Sequence, residues 1–194
     1  MAALTLYFAP GSSSMAPHIA LHEIGAPFER RPVSFAKKEQ HEPAFLALNP
    51  EGKVPTLLID GRPLTEVAAV LFYLARTFPR AKLLPETVEA EAQAVSWMSF
   101  AAATLHAARR LPREAGRAAF ALADKKLGDR EWALGQYSIA DIHLFRLYWR
   151  MRPLLEAPPG AMPALEAHYA RMMNRPAVKE TIRVESAIGY ELPS

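Results

Sequence analysis

The hydrophobic pattern of this 194-residue chain changes period once, near Pro79, and that change limits the fold more than any other feature. Before it, strand-like runs alternate with helical stripes. Leu4 to Phe8 (LTLYF) is short, apolar and aromatic, and Pro10-Gly11 ends it as a strand entering a turn. Ser12, Ser13 and Ser14 then lead into Met15–Leu21, a helical segment closed by Gly25, which suits a helix C-terminus. Pro17 fits only a first helical turn, so this helix starts close to Ser13 or Ser14. Phe28 to Phe35 reads as a second strand, edge or bulged because of Pro32. A polar helical stretch is expected through Lys37-Lys38 to Leu48, then a loop from Asn49 to Pro55 and a strand over Thr56–Ile59. Asp60-Gly61 is a two-residue hairpin turn returning as Arg62-Pro63-Leu64. Val67, Val70, Leu71 and Leu74 make a helical stripe between Glu66 and Thr77, which completes the order βαβαββα.

Only helical spacing follows. Val88 to Leu111 is Ala-rich with Val95, Met98 and Leu105 in helical register, and Arg113 to Leu127 forms another helix. Ser138-Ile139-Ala140-Asp141 has the form of a capping box opening a helix to about Arg152. Pro163 and Pro176 sit where first-turn prolines start two more. The expected organisation is an α/β domain over 1–78, a linker over 79–87 marked by Pro79 and Pro85, and an all-helical domain over 88–194.

Composition removes several function classes. With 51% hydrophobic and 22% charged residues the chain is globular in type, not disordered. A formal charge of +3 with no block of five Lys/Arg gives no argument for nucleic acid. Cysteine is absent, so disulfides, thiolate metal sites and a protein thiol nucleophile are all impossible. Any sulfur chemistry must therefore enter with a ligand. The opening residues lack a basic region followed by an apolar stretch, and no run approaches the roughly 18 apolar residues of a membrane span. The expectation is a cytoplasmic protein without membrane association.

Specific residues narrow the fold. Leu6–Gly25 (LYFAPGSSSMAPHIALHEIG) resembles the opening of bacterial beta-class glutathione S-transferases. Asn49–Leu57 (NPEGKVPTL) resembles their NPxGxVPxL loop, and Leu64-Thr65-Glu66 their LTE motif. Trp97, Phe100 and His106 match their first long helix, and Ser138–Asp141 their S/T-x-A-D helix start. Five motifs in order with these spacings identify the chain as a member of that family over its whole length. The resemblance implies an N-terminal thioredoxin-like domain that binds glutathione as co-substrate, an all-α C-terminal domain, and a homodimer, with no metal.

The resemblance also implies a site, residue by residue. Pro55 is expected to be cis, presenting the backbone of Lys53 and Val54 to the cysteinyl part of glutathione. Glu66 would accept from the ligand's ammonium, while helix N–H groups beginning at Val67 face its γ-glutamyl carboxylate. Val67 stands where relatives often carry Ser, Thr or Gly, so a side-chain donor worth about 0.5–1.5 kcal/mol is lost. Lys38 matches a lysine that reaches the ligand; its alternative is a solvated lysine beside Lys37. Ser99 and Thr104 replace an Asn and a Glu through which a dimer partner contacts glutathione.

Ser13 occupies the place of the beta-class cysteine. A serine cannot form a mixed disulfide, but its hydroxyl can donate to the glutathione sulfur, as in theta-like and delta-like relatives. A free thiol with pKa near 8.5 is only about 3% thiolate at pH 7, and lowering it to roughly 6.5 takes about 2.7 kcal/mol. One hydrogen bond to a charged acceptor gives about 1.5–3 kcal/mol and a helix N-terminus about 0.3–1 more, so one serine suffices. Ser12 matches the delta-like register, and Ser14 is the residue best placed as a plain N-cap. Tyr7 is a further candidate, although the beta-class tyrosine corresponds to Phe8. His106 matches a histidine facing the sulfur region. Arg109, Arg110 and Arg113 beyond it form either a polar acceptor pocket or a solvated basic face. The leading function is glutathione conjugation to small electrophilic, largely apolar molecules. The alternatives are glutathione-dependent disulfide or peroxide reduction and a non-catalytic interaction module.

Overall fold

A computed structural model describes residues 2–191. Its elements, in chain order, are β1 (Leu4–Phe8), α1 (Met15–Ile24), β2 (Glu29–Pro32), α2 (Pro43–Leu46), β3 (Thr56–Ile59), β4 (Arg62–Thr65), α3 (Val67–Thr77), α4 (Val88–Phe100), α5 (Arg113–Leu127), α6 (Ile139–Leu155), α7 (Pro163–Asn174) and α8 (Pro176–Ile188). They form two compact units, Met1–Thr77 together with Pro176–Ser194, and Phe78–Arg175.

The first unit is built on a four-stranded mixed sheet in the order β2-β1-β3-β4. β1 pairs parallel with β2 and antiparallel with β3, with Leu6 opposite Leu57. Alternation along β1 sends Leu4, Leu6 and Phe8 to one buried face, where α1 packs against the strand. Tyr7 lies on the other face, its ring 5.8 Å edge-on to Phe45 of α2 in a smaller cluster with Ala9, Val33 and Val54. Pro32 is on the edge strand, where its missing N–H is harmless. Asp60 (φ 50°) and Gly61 (φ 80°) turn the β3–β4 hairpin with both central residues left-handed, as the Asp-Gly signal predicts.

Two stretches differ from the sequence expectation. The continuous helix expected through Lys37-Lys38 to Leu48 is a turn with Lys38 at φ 58°, a 3₁₀ turn over Glu39–His41, and the single turn of α2. Pro43 holds Glu42 extended and so separates the two pieces. Carboxylates satisfy the turn's backbone, with Glu39 accepting from Ser34 N–H (2.8 Å) and Glu191 from Ala36 N–H (3.1 Å). The helix expected from Val88 to Leu111 keeps α geometry only to Phe100. It continues as a π-helical segment over Ala101–His106 and a 3₁₀ turn to Arg110, ended by Pro112.

The last helix groups with the sheet rather than with the helices it follows in sequence. α8 packs on α1, burying Val178, Thr181 and Glu185 completely. The second unit is organised around α6, whose residues from Ile139 to Tyr148 are all buried because α4, α5 and α7 surround it. Its core joins Trp97, Leu105, Phe120, Leu144, Leu147 and Leu165. Residues 79–87, read as the linker, include the buried Leu83, whose carbonyl accepts from Ile139 N–H at 2.9 Å. The capping box at Ser138 is present, with Ser138 and Asp141 each accepting from the other's end of the first turn. The helix it opens runs three residues past Arg152, through Pro153 to Leu155. No helix of the described residues is long and apolar enough to cross a membrane.

Candidate active site

The turn from β1 into α1 separates the three serines. Ser14 does not serve as a side-chain cap: its buried hydroxyl accepts from Ala9 N–H (3.1 Å) and donates to Ala9 C=O (3.2 Å). Folding the loop back on β1 draws that hydroxyl inward, away from the helix N–H groups. The Ser12 hydroxyl is buried too, 2.7 Å from Ser14 Oγ, and accepts from Ser14 N–H (3.3 Å). Ser13 alone is partly exposed, and among the described residues its hydroxyl has no partner. The three adjacent serines therefore divide the work: two fix the loop and one is left over at the start of α1.

The loop before β3 is organised by Asn49, a buried residue that motif reading quoted without giving it a role. Its amide donates to Lys53 C=O (2.7 Å) and to Thr56 Oγ1 (3.3 Å), while its carbonyl accepts from Glu51 N–H (3.1 Å). Gly52 sits at φ 62°, and a Cβ there would come within 3.0 Å of Gln40 C=O. The Val54–Pro55 bond is cis. Among the described residues no intrachain hydrogen bond engages the Val54 N–H or C=O. The Lys53 ammonium pairs at the surface with Glu51 (2.8 Å).

Glu66 is not a first-turn helical residue. It precedes α3 in the left-handed region (φ 70°), where its carbonyl accepts the first helical bond, from Val70 N–H. A non-glycine residue costs of order 1 kcal/mol or more in this conformation and persists where the surroundings demand it. Glu66 is exposed, and its carboxylate has no partner among the described residues. The N–H groups from Val67 to Ala69 open the helix beside it, ahead of any helical acceptor. Val67 itself is buried and contributes only its backbone. Lys38 is exposed and has no side-chain partner among the described residues.

In the second unit, His106 is partly exposed at the end of the π-helical segment. Fully buried His143 is held near pH 3 by burial first and then by the charges of Arg146 and His106. Arg109 is pushed below its ordinary value by burial and by Arg110 and Arg150. Arg113 pairs with Glu156 at 2.5 Å. Ser99 is exposed and Thr104 half-buried.

Two histidines give the fold an acid limit. His22 on α1 is held near 4 by burial and by His18, with Nδ1 2.9 Å from Thr181 Oγ1; Glu180 acts in the opposite sense. The unfolded chain takes up these protons near pH 6.5, whereas the folded chain resists until about pH 4 at His22 and about pH 3 at His143. Over that window the unfolded state binds more protons, so stability present above pH 6.5 is lost as the pH falls. Thermal melts should show the midpoint dropping between pH 6.5 and 4. His143→Leu should flatten the slope, by at most about 1.4 kcal/mol per pH unit for its one proton.

The comparisons agree with this architecture. The chain matches the glutathione S-transferase N-terminal domain over residues 2–76 and the C-terminal domain over residues 107–176. Glutathione S-transferase GstA of Escherichia coli O157:H7 is 32% identical across 94% of this chain and 98% of its own. A sphingomonad glutathione S-transferase complexed with glutathione superimposes with a TM-score of 0.84 at 34% identity, covering 94% of this chain and 98% of that one. The bacterial beta-class enzyme of Sphingomonas chungbukensis gives 0.82 at 35% identity, over 93% and 98%. With its mixed sheet, its helical second unit and similarity along nearly the full length of such enzymes, this chain belongs to the glutathione S-transferase family.

Proposed function

We propose that this transferase conjugates glutathione to small electrophilic, largely apolar molecules, with Ser13 stabilising the thiolate. The observation that carries this reading is the division among the serines: only Ser13 has a hydroxyl both partly exposed and unengaged at the start of α1. That hydroxyl and the positive end of the helix together favour a bound thiolate. Glutathione lies along the first unit, its cysteinyl backbone on the unpaired N–H and C=O of Val54 beside Pro55. Its ammonium meets Glu66, its γ-glutamyl carboxylate the N–H groups from Val67 onward, and its glycyl carboxylate Lys38. Lys53 shapes the loop through its carbonyl, and the Ser12 hydroxyl supports Ser13 from behind.

In the reaction, the bound thiol releases its proton to solvent and the sulfur attacks an electrophilic carbon. A C–S bond forms as the leaving group departs with its electron pair. Ser13 makes no covalent bond, and catalysis consists of thiolate stabilisation and proximity. The protein acts as a cytoplasmic homodimer.

Calorimetry with glutathione, followed by turnover of an aryl halide, tests this reading. Saturable heat at or below millimolar ligand and release of halide are expected. No heat at millimolar glutathione would leave only a non-catalytic interaction protein. Binding with turnover of a small disulfide but not of the aryl halide would make the protein a reductase.

A further inference from the structure

The loop that presents Ser13 is held from its far side by a residue near the other end of the chain. Glu185, on α8, is completely buried. Its Oε2 accepts the N–H of Gly11 at 2.6 Å, and its Oε1 lies 2.8 Å from His18 Nδ1 on α1. Gly11 is at φ 71°, the left-handed turn from which the chain passes to Ser12 and Ser13. One carboxylate therefore joins the turn before the serines to the helix after them.

The surroundings are built for that role. His18 is also completely buried, packed between Phe8 (4.8 Å), His22 (4.8 Å) and Phe28 (5.7 Å). Among the described residues its Nε2 has no hydrogen-bond partner, so the ring's polar attachment is Nδ1, 2.8 Å from Glu185 Oε1. A buried carboxylate requires donors, and here they are supplied from both sides of the serine loop. Ser12 and Ser14 pin the loop to Ala9 from within, and Glu185 fixes its outer turn.

We propose that Glu185 is a positioning residue for the reaction: through Gly11 it sets the orientation of the Ser13 hydroxyl toward the glutathione sulfur. The proposal rests on the reading of Ser13 above. Glu185→Gln keeps the shape, but it replaces one of the two acceptor oxygens by an NH₂ donor and must leave either Gly11 or His18 poorly matched. The expected result, at a temperature where circular dichroism shows the variant folded, is a kcat lower by about three- to tenfold with KM for glutathione little changed. The pH profile of bound-thiol absorbance should move to higher pH. In a Ser13→Ala background, Glu185→Gln should cause no further loss, because the group it positions is gone.

Losses that multiply in the double variant would overturn the proposal, since they would mark a general structural role. An unchanged thiol profile would also overturn it. So would a Glu185→Gln chain that fails to fold, which would make Glu185 a core residue rather than a loop clamp. If Ser13→Ala itself leaves the thiol profile unmoved, the serine reading and this one both fall. If Ser13→Ala moves it and Glu185→Gln does not, only the positioning role falls.

Discussion

Ser13→Ala is expected to lower kcat for conjugation by about ten- to a hundredfold at neutral pH, the equivalent of the roughly 1.5–3 kcal/mol of one hydrogen bond to a charged acceptor. The loss should fall on kcat more than on KM, because the hydroxyl discriminates thiolate from thiol and contributes little to holding the rest of the tripeptide. Thiolate absorbance titrated against pH should show the bound thiol moving up toward the free value near 8.5. Activities of wild type and variant should then converge at alkaline pH, where thiolate forms without assistance. Ser12→Ala is the internal control. Its hydroxyl bonds Ser14 and helps hold the loop, so its removal should lower the melting temperature and move the thiol titration much less than Ser13→Ala does. If Ser13→Ala titrates like wild type, the donor has been misassigned.

Asp141→Ala is expected to destabilise the protein by about 3–5 kcal/mol, a large share of the 5–15 kcal/mol typical of folded domains. The carboxylate is completely buried and fully engaged. Oδ1 accepts from Ala133 N–H at 2.8 Å and lies 3.1 Å from His168 Nε2, while Oδ2 accepts from Ser138 N–H (2.9 Å) and Ser138 Oγ (3.1 Å). Truncation strands several buried donors at once, each costing about 1–3 kcal/mol where nothing replaces the partner. A fall of roughly 10–15 °C in melting temperature follows for a chain of this size. All three tryptophans lie in the second unit, so their fluorescence in a urea titration reads the loss directly. Asp141→Asn should fall between wild type and Ala, because an amide keeps one acceptor but presents a donor where two donors already point.

The parts of the fold that could be read from the chain were those decided by neighbours in sequence. LTLYF before Pro10-Gly11 is a strand ending in a turn whatever surrounds it, and Asp60-Gly61 supplies the two left-handed residues its hairpin needs. Ser138 and Asp141 cap a helix within one turn of each other. Two stretches were misread because other determinants prevailed. Lys37 to Leu48 has helical composition, but Pro43 and the carboxylates of Glu39 and Glu191 stabilise turns there instead. The helix after Val88 changes its winding at Ala101, where alanine-rich sequence carries no mark of a π turn.

The candidate site was legible as a set of positions and opaque as a set of roles. Spacing brought Ser12, Ser13 and Ser14 to a helix start but could not rank them. The ranking came from the way the loop folds onto Ala9, which consumes two hydroxyls and spares one. Glu66 was visible as the residue before a helix; its left-handed backbone was not. Asn49 was visible as a letter in a motif, but its three hydrogen bonds appear only when the loop has closed around it.

By itself, the sequence determined the order of strands and helices, the turn chemistry, the absence of any protein thiol and the presence of a serine at the head of α1. Those properties depend on backbone preferences and side-chain chemistry that act over a few residues. Only the tertiary structure decided that α8 returns to the sheet and that Glu185 reaches Gly11, 174 positions away. A hydrogen bond across that separation leaves no period and no motif, because its two partners meet only when the packing of α8 on α1 buries them together.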